Sequence, residues 1–350
     1  MHLHKTKSSG KKPLMVAVLV VAIILVLILI LAGVYVFVLM DQITYDPGSE
    51  TLSSSEVNAF LNEPIETADP TEEIVDPTDI TWATEPASTL SSREVVTILL
   101  IGQDRRPDET VCRSDTMILC VLNKKTGSVT LASLMRDMYV PIPGYLNANR
   151  INASYAYGGM PLLKECIRHN LGVQVDGCVA VDFDGFVSLM ELVGGVDIEL
   201  NADEVEHLNK NEDHYGFPEE SWELQVGMNH LTPHQALAYS RVRYIGAGDF
   251  GRTERQRKVL LALLEEAKSM SVTQLNSFLM TAAGLVTTDM SQAELLGYGF
   301  SVLPMLSDLQ INGLRIPYGD YYQSKYVDGV GYVLIPDLNR NREVLASLYE

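Results

Sequence analysis

A chain of 350 residues with 45 acidic and 26 basic side chains carries a formal charge of -19 at pH 7. That balance argues against nucleic acid as a partner, whose binders show a basic footprint. The four cysteines, Cys112, Cys120, Cys166 and Cys178, form no C-x-x-C pair, so zinc and thioredoxin-like chemistry find no support, while free thiols and disulfides both stay open.

Lys5, Lys7, Lys11 and Lys12 precede an uncharged run, Leu14 to Met40, of roughly 27 residues, and Asp41 follows it. A helix needs about 20 apolar residues to cross a bilayer, and lysines on the leading side place the N-terminus in the cytoplasm. A cleaved signal peptide would have a shorter apolar region and a small-residue cleavage site; this run ends in the bulky VYVFVLM. The expected organisation is a cytoplasmic N-terminus over 1–13, a transmembrane helix over 14–40, an acidic flexible stalk over 41–92 and one outer domain over 93–350. The stalk holds 12 acidic residues and no Lys or Arg, a composition that cannot bury enough apolar surface to offset its ordering entropy. Taking away those 12 negatives and the four lysines changes -19 to -11, so the outer domain is acidic too.

Within that domain, VVTILLIG (Val95–Gly102) reads as a buried strand. TMILCVLN, KKTG and SVTLASL then predict strand, turn and strand over 116–134. MPLLKECIRHNLG has helical spacing and stops at Gly172. DGCVAVDF predicts a strand, DGFVSLMELVGG a short helix, and VDIEL another strand. Thr232-Pro233 opens a helix, with Thr as N-cap and Pro in the first turn. A long helix follows from Arg252 to about Met270, and INGLRIPYG and GYVLIPD predict closing strands. The fold class is therefore α/β: a single extracytoplasmic domain with a central mixed β-sheet covered by helices.

Against the overall acidity, YSRVRYIGAGDFGRTERQRK (Tyr239–Lys258) gathers Arg241, Arg243, Arg252, Arg255, Arg257 and Lys258 beside only Asp249 and Glu254. At about 100° per residue, Arg252, Arg255, Gln256, Val259 and Leu263 share one helix stripe, with Arg257 and Lys258 on the solvated side. Arginines in the first turn of a helix, beside apolar residues, make an anion site to which free N–H groups and the helix dipole contribute. Structural ion pairs with carboxylates are the alternative. Upstream, Asp104, Arg105 and Arg106 fall at the end of the first strand, Arg113 and Asp115 just before the next, and Arg136 and Asp137 after the third. Strand ends are where α/β proteins build sites. Asp104 and Asp115 make a reasonable Mg2+ pair, since that ion takes one or two carboxylates with phosphate oxygens and water. Arginine forks with Mg2+ suit a diphosphate. Walker A, G-x-S-x-G and H-E-x-x-H patterns are absent, and His230 and His234, separated by Pro233 at a helix start, read as surface or cap residues.

ILLIGQDRR, CRSDTMILCVLN, SLMRDMYVPIPG, NRINASYAYGG, VDFDGFVSLMELVGGVDIEL and QALAYSRVR…DFGRTERQ occur in an order and spacing that resemble the LytR-CpsA-Psr family, from about Val95 to about Met270. The resemblance implies a membrane-anchored, extracytoplasmic phosphotransferase of the Gram-positive cell envelope. Such an enzyme moves an anionic glycopolymer (teichoic acid or capsule-like polysaccharide) from an undecaprenyl-diphosphate carrier to peptidoglycan, usually to the 6-hydroxyl of N-acetylmuramic acid, and releases undecaprenyl phosphate. It implies Mg2+, with Mn2+ as the alternative ion, on Asp104 and Asp115. Diphosphate contacts fall by motif on Arg106 (preferred over its neighbour Arg105, the other arginine of GQDRR), Arg113, Arg136, Arg241, Arg243, Arg252, Arg255 and Gln256, and the catalytic group on Arg136, Asp137, Arg241 and Arg243. An apolar tunnel would take the prenyl chain. This chain reads LMRD where many members have IPRD, so Met135 stands in place of a proline. A lipid-sensing or regulatory protein without turnover, and a hydrolase of the same carrier, are the competing readings. A DNA-contacting regulator conflicts with topology, because only about 13 residues precede the anchor.

Overall fold

The computed structural model describes residues 35–36, 38–48, 69, 73–82, 86–103, 112–211, 222–302 and 310–350. The expected anchor, apart from its last few residues, lies outside them. Among the described residues no helix is long and apolar enough to cross a membrane. In chain order the strands are β1 (Thr44–Tyr45), β2 (Ile74–Val75), β3 (Val95–Gln103), β4 (Ser114–Asn123), β5 (Ser128–Leu134), β6 (Tyr139–Val140) and β7 (Asn149–Arg150). They continue as β8 (Gly177–Val181), β9 (Val196–Leu200), β10 (Gly227–Leu231), β11 (Thr287–Thr288), β12 (Gln310–Ile316), β13 (Tyr322–Val327) and β14 (Gly331–Pro336). The helices are α1 (Ile151–Leu171), α2 (Phe183–Val193), α3 (Ala202–Lys210), α4 (Pro233–Arg241), α5 (Asp249–Ser269), α6 (Val272–Ala283), α7 (Gln292–Val302) and α8 (Leu338–Ala346).

The central sheet is mixed and seven-stranded, in the order β1-β11-β8-β3-β4-β5-β12. Its middle is the β3–β4–β5 meander, antiparallel throughout, with Asn123 opposite Ser128 across the Lys124–Gly127 turn. β8 and β12 flank it in parallel. Because side chains alternate along a strand, Leu99 and Ile101 of β3 join one core with Cys166 and Ile167 of α1 and Leu345 of α8. Val96, Ile98 and Leu100 face the opposite layer, with Leu260 and Leu261 of α5 and Tyr298 of α7. Each large apolar side chain so buried contributes about 1.5–3 kcal/mol, which is why both faces are covered. α1 ends at Gly172 with φ 75°, a left-handed cap that a Cβ would penalise. α4 starts as read: Thr232 accepts from Gln235 N–H and the Gln235 side chain returns to Thr232 N–H, with Pro233 at the first position.

Three expectations are corrected. VDIEL is a strand, but β9 pairs with β10 in a separate two-stranded ribbon rather than with the central sheet. Likewise GYVLIPD is β14 of a three-stranded sheet, β14-β13-β2. The segment read as a solvated stalk is bound to the domain wherever it is described: β1 pairs with β11, β2 with β13, and Ala87 and Leu90 N–H groups donate to His169 O (3.0 Å) and Gly172 O (2.6 Å). Exposed sheet edges and a helix end supply partners that a composition argument does not count. All four cysteines are free thiols.

Candidate active site

Asp115 is the second residue of β4, where the chain enters the sheet beside the end of β3. Gly102 lies opposite Thr116 there, and a Cβ on Gly102 would fall 2.9 Å from the Thr116 Cβ, so only glycine lets the strands close at this point. Asp115 Oδ1 accepts from Arg136 Nη1 at 2.7 Å, its Oδ2 from Arg243 Nη2 at 3.1 Å, and its backbone carbonyl from Arg252 Nη2 at 3.4 Å. Arg136 stands two residues past the end of β5. Met135 N–H donates to Ile316 O at 2.8 Å, a bond that a proline could not make; here that bond secures the turn that aims Arg136.

Two further carboxylates complete the cluster. Asp137 Oδ2 lies 3.5 Å from Arg136 Nε, and its Oδ1 lies 3.4 Å from Arg150 Nε. Asp249, first residue of α5, places Oδ2 2.9 Å from Arg252 Nη2 and 3.7 Å from Arg136 Nε, with Oδ1 3.9 Å from Arg243 Nε. Arg252 is only 2% exposed, and its Nε has no hydrogen-bond partner, an orphaned donor that a protein normally satisfies.

Burial would raise the Asp115 carboxyl, but Arg136, Arg252 and Arg243 together hold it below the ordinary carboxylate range. Asp137 goes the other way: burial and the neighbouring Asp249 raise it in spite of Arg136 and Arg150. Burial and the adjacent Arg136 bring Arg252 down to about 10, still cationic at neutral pH. The cluster is thus a set of guanidiniums held in place by carboxylates, with one carboxyl more basic than usual.

From this cluster a cavity of about 440 Å³ runs between the sheet and helices α2, α4 and α5. One end carries Asp115, Asp182, Arg241, Arg243, Arg252 and Gln256; the walls are apolar, among them Leu100, Ile118, Val179, Phe186, Leu260 and Leu263. Arg241 ends α4 and lies over the Phe183 ring, 4.8 Å from its centroid. The predicted residues Asp115, Arg241, Arg243, Arg252 and Gln256 therefore line one cavity, and Arg136 and Asp137 adjoin it through Asp115. Arg113 sits one residue before β4. Asp104, Arg105 and Arg106 lie outside the described residues.

Arg255 departs from its expected place. Its Nη1 is 3.5 Å from Glu204 Oε1 and its Nη2 donates to Val242 O at 2.8 Å, in the core formed by α3, α4 and β9. The cavity takes the α5 residues 252, 256, 259, 260 and 263; three residues on from Arg252 points some 60° away, enough to bury Arg255 beside the cavity rather than in it. Arg257 also differs from its solvated reading: it donates to Ser133 Oγ at 2.6 Å and is half-buried against β5. His230 bridges Asp197 Oδ1 (2.7 Å) and Gly194 O (2.9 Å), a structural role in the ribbon.

Asp249 and Arg150 belong to the cluster and were not singled out by sequence. Asp249 had a local signal, its i,i+3 spacing to Arg252 in a first helical turn; Arg150 reaches Asp137 only through the β6–β7 pairing. Among the described residues no group of three or more His, Cys, Asp or Glu is arranged to hold a metal. Asp115 nevertheless offers the hard oxygen donors that Mg2+ takes when phosphate and water complete its shell.

The TagU teichoic acid transferase of Enterococcus faecalis ("Polyisoprenyl-teichoic acid--peptidoglycan teichoic acid transferase TagU") is 32% identical over 206 residues, covering 58% of this chain and 64% of that protein. Its counterpart in Bacillus cereus is 31% identical over 250 residues, 71% of this chain and 76% of the relative. The structure of YwtF (TagT) with bound octaprenyl pyrophosphate lipid superposes with a TM-score of 0.56 at 22% identity, covering 76% of this chain and 97% of that one; at that identity it shows the fold. The LytR_cpsA_psr family model matches residues 53–348, and with that span the chain belongs to the LytR_cpsA_psr family.

Proposed function

We propose that the protein is a membrane-anchored phosphotransferase that attaches an anionic glycopolymer, carried on undecaprenyl diphosphate, to peptidoglycan at the outer face of a Gram-positive membrane. The observation that carries this reading is the cavity, whose one end is guanidinium and whose walls are apolar. That is the chemistry of a diphosphate joined to a long hydrocarbon. The names of the TagU relatives and the prenyl pyrophosphate in YwtF (TagT) support the same class of donor. Residues 14–40 supply the anchor in this reading.

In the resting site Asp115 and Asp249 hold Arg136, Arg243 and Arg252 in position, so little reorganisation is needed when phosphate oxygens arrive. Arg243, Arg252 and Arg241 bind the diphosphate from the cavity side, and Arg136 from the sheet side. The acceptor hydroxyl oxygen forms a bond to the glycan-side phosphorus, the bond from that phosphorus to the bridging oxygen breaks, and undecaprenyl phosphate leaves. Asp137, one-quarter exposed and raised in basicity, takes the hydroxyl proton. Asp115, with Asp104 from the preceding strand end, would hold Mg2+, or Mn2+ in its place, and the ion when bound neutralises charge on the diphosphate.

The test is transfer of a labelled glycan from its undecaprenyl diphosphate to peptidoglycan fragments by the full chain in detergent, with Mg2+, with EDTA, and with Arg243→Ala. Label on peptidoglycan that depends on Mg2+ and falls at least 100-fold in the variant is expected. Transfer unaffected by Arg243→Ala would overturn the assignment of the site.

A further inference from the structure

Residues 41–48, acidic and stalk-like in composition, form the outer edge of the central sheet. Ile43 N–H donates to Met40 O at 3.3 Å, so the chain turns immediately after the apolar run. Thr44 and Tyr45 then pair in parallel with Thr287 and Thr288. Thr44 N–H donates to Val286 O at 3.4 Å and Asp46 N–H to Thr288 O at 2.8 Å. Asp46 Oδ1 accepts from Gly48 N–H at 2.7 Å. Gly48 sits so near Pro161 of α1 that a Cβ would fall 2.2 Å from its ring.

The strand registers show which end of the sheet the chain enters. Thr44 is level with Thr287, Thr287 with Ala180, Ala180 with Ile101, and Ile101 with Met117. β1 and β11 run against β8 and β3, so the preceding residue, Ile43, is level with Gly102 and Thr116. That is the end of the sheet holding Asp115, Arg136 and Asp182. Val286, whose carbonyl receives Thr44, also lines the cavity. Four strand spacings separate β1 from β4, roughly 19 Å. Only Asp41, Gln42 and Ile43 lie between Met40 and β1, a reach of about 10 Å when fully extended.

We propose that β1 is a docked tether: it seats the domain on the bilayer with the Asp115–Arg136 end of the sheet against the lipid surface. The length of the acidic segment then does not set the working height of the site. The proposal rests on the anchor reading given above. A diphosphate at headgroup level meets the guanidiniums within about 2 nm of the anchor along the membrane plane. Tyr45, exposed on the tether itself, is the kind of side chain that favours the membrane–water interface.

The experiment uses the full chain in vesicles, with a donor dye on Leu146→Cys, a fully exposed loop position, and an acceptor dye on the lipid. Of the native thiols three are buried, and Cys120 is pushed up to about 11 by burial, so they stay unlabelled. A 24-residue Gly/Ser insertion is placed either between Gln42 and Ile43 or after Thr51. Such a linker spans about 27 Å root-mean-square. Energy transfer is expected to fall about twofold with the first insertion and to stay unchanged with the second. Adding Thr44→Pro and Asp46→Pro, which remove both N–H donors of the tether, should make the second insertion behave like the first. An equal fall with both insertions, or no fall with either, overturns the docked tether. Release of the wild-type chain from vesicles by alkaline carbonate overturns the anchor itself. None of these readouts requires turnover, so a chain that passes them but transfers no glycan keeps the tether and loses the phosphotransferase assignment.

Discussion

Replacing Arg255 separates a substrate contact from a structural ion pair. The guanidinium is 7% exposed and the partner Glu204 carboxylate 4%, at 3.5 Å, with a second bond from Arg255 to Val242 O at 2.8 Å. Removing one member of a buried pair leaves the other charged and without its partner, at a cost of about 3–5 kcal/mol. Over the roughly 310 residues from Asp41 onward the unfolding entropy is about 0.65 kcal/mol/K, so each kcal/mol lowers Tm by about 1.5 °C, and Arg255→Met should melt at least about 4 °C below wild type. Neutralising both partners, Glu204→Gln with Arg255→Met, should recover much of the loss, because no buried charge is then stranded. The assay is thermal unfolding by circular dichroism of the soluble chain from Asp41 onward, which retains β1 and β2. Arg255→Met that melts within 2 °C of wild type while losing transfer would refute this reasoning and return Arg255 to the diphosphate.

Arg136→Ala, in a half-open cluster, is expected to lose at least 100-fold in kcat/KM while its Tm moves by less than 3 °C; unfolding measured beside turnover checks both. Asp115 is held below its ordinary 3.8 by three arginines against the effect of burial, so its contribution to stability is present above 3.8 and is lost as pH falls through its lower folded value. Asp115→Asn should therefore be less stable than wild type at pH 7, and urea titrations should show the gap narrowing below pH 3.8. Leu263→Trp, which fills the apolar wall of the cavity, should raise KM for long-chain prenyl donors about tenfold, near 1.4 kcal/mol, and leave short-chain donors unaffected. EDTA should abolish transfer, and Mg2+ or Mn2+ should restore it in the same preparation.

How legible the fold was depended on whether the deciding interaction was local. The β4–β5 hairpin, the Thr232 cap and the Gly172 stop are written in neighbouring residues, and each stands where periodicity and capping place it. β9 was read as part of the main sheet because a strand pattern does not name its partner; β10 reaches it from 27 residues downstream. The acidic segment shows the same limit. Averaged over 41–92 its composition argues for solvation, yet Thr44–Asp46 and Ile74–Val75 are short stretches captured by sheet edges that form elsewhere in the chain.

The site divides along the same line. The helical period brought Arg252 and Gln256 together, the density of arginines over 239–258 drew attention to Arg241, which closes a helix, and to Arg243 just after it, and strand ends supplied Asp115 and Arg136. A 60° offset on α5 was enough to move Arg255 from the cavity into the core. Asp249 is local to Arg252 but reads at first as a counter-charge, and its contacts to Arg136 and Arg243 exist only once β5 and α5 have met.

The most direct measurement is a stoichiometry. The full chain would be incubated with a defined undecaprenyl-diphosphate glycan and peptidoglycan oligomers, and both products quantified by mass spectrometry. One undecaprenyl phosphate is expected for each glycan joined to peptidoglycan through a phosphodiester, with both products lost in Arg136→Ala. Undecaprenyl phosphate accompanied by free glycan phosphate would make the protein a hydrolase, and tight donor binding with neither product would make it a sensor; either result contradicts the transfer proposed here.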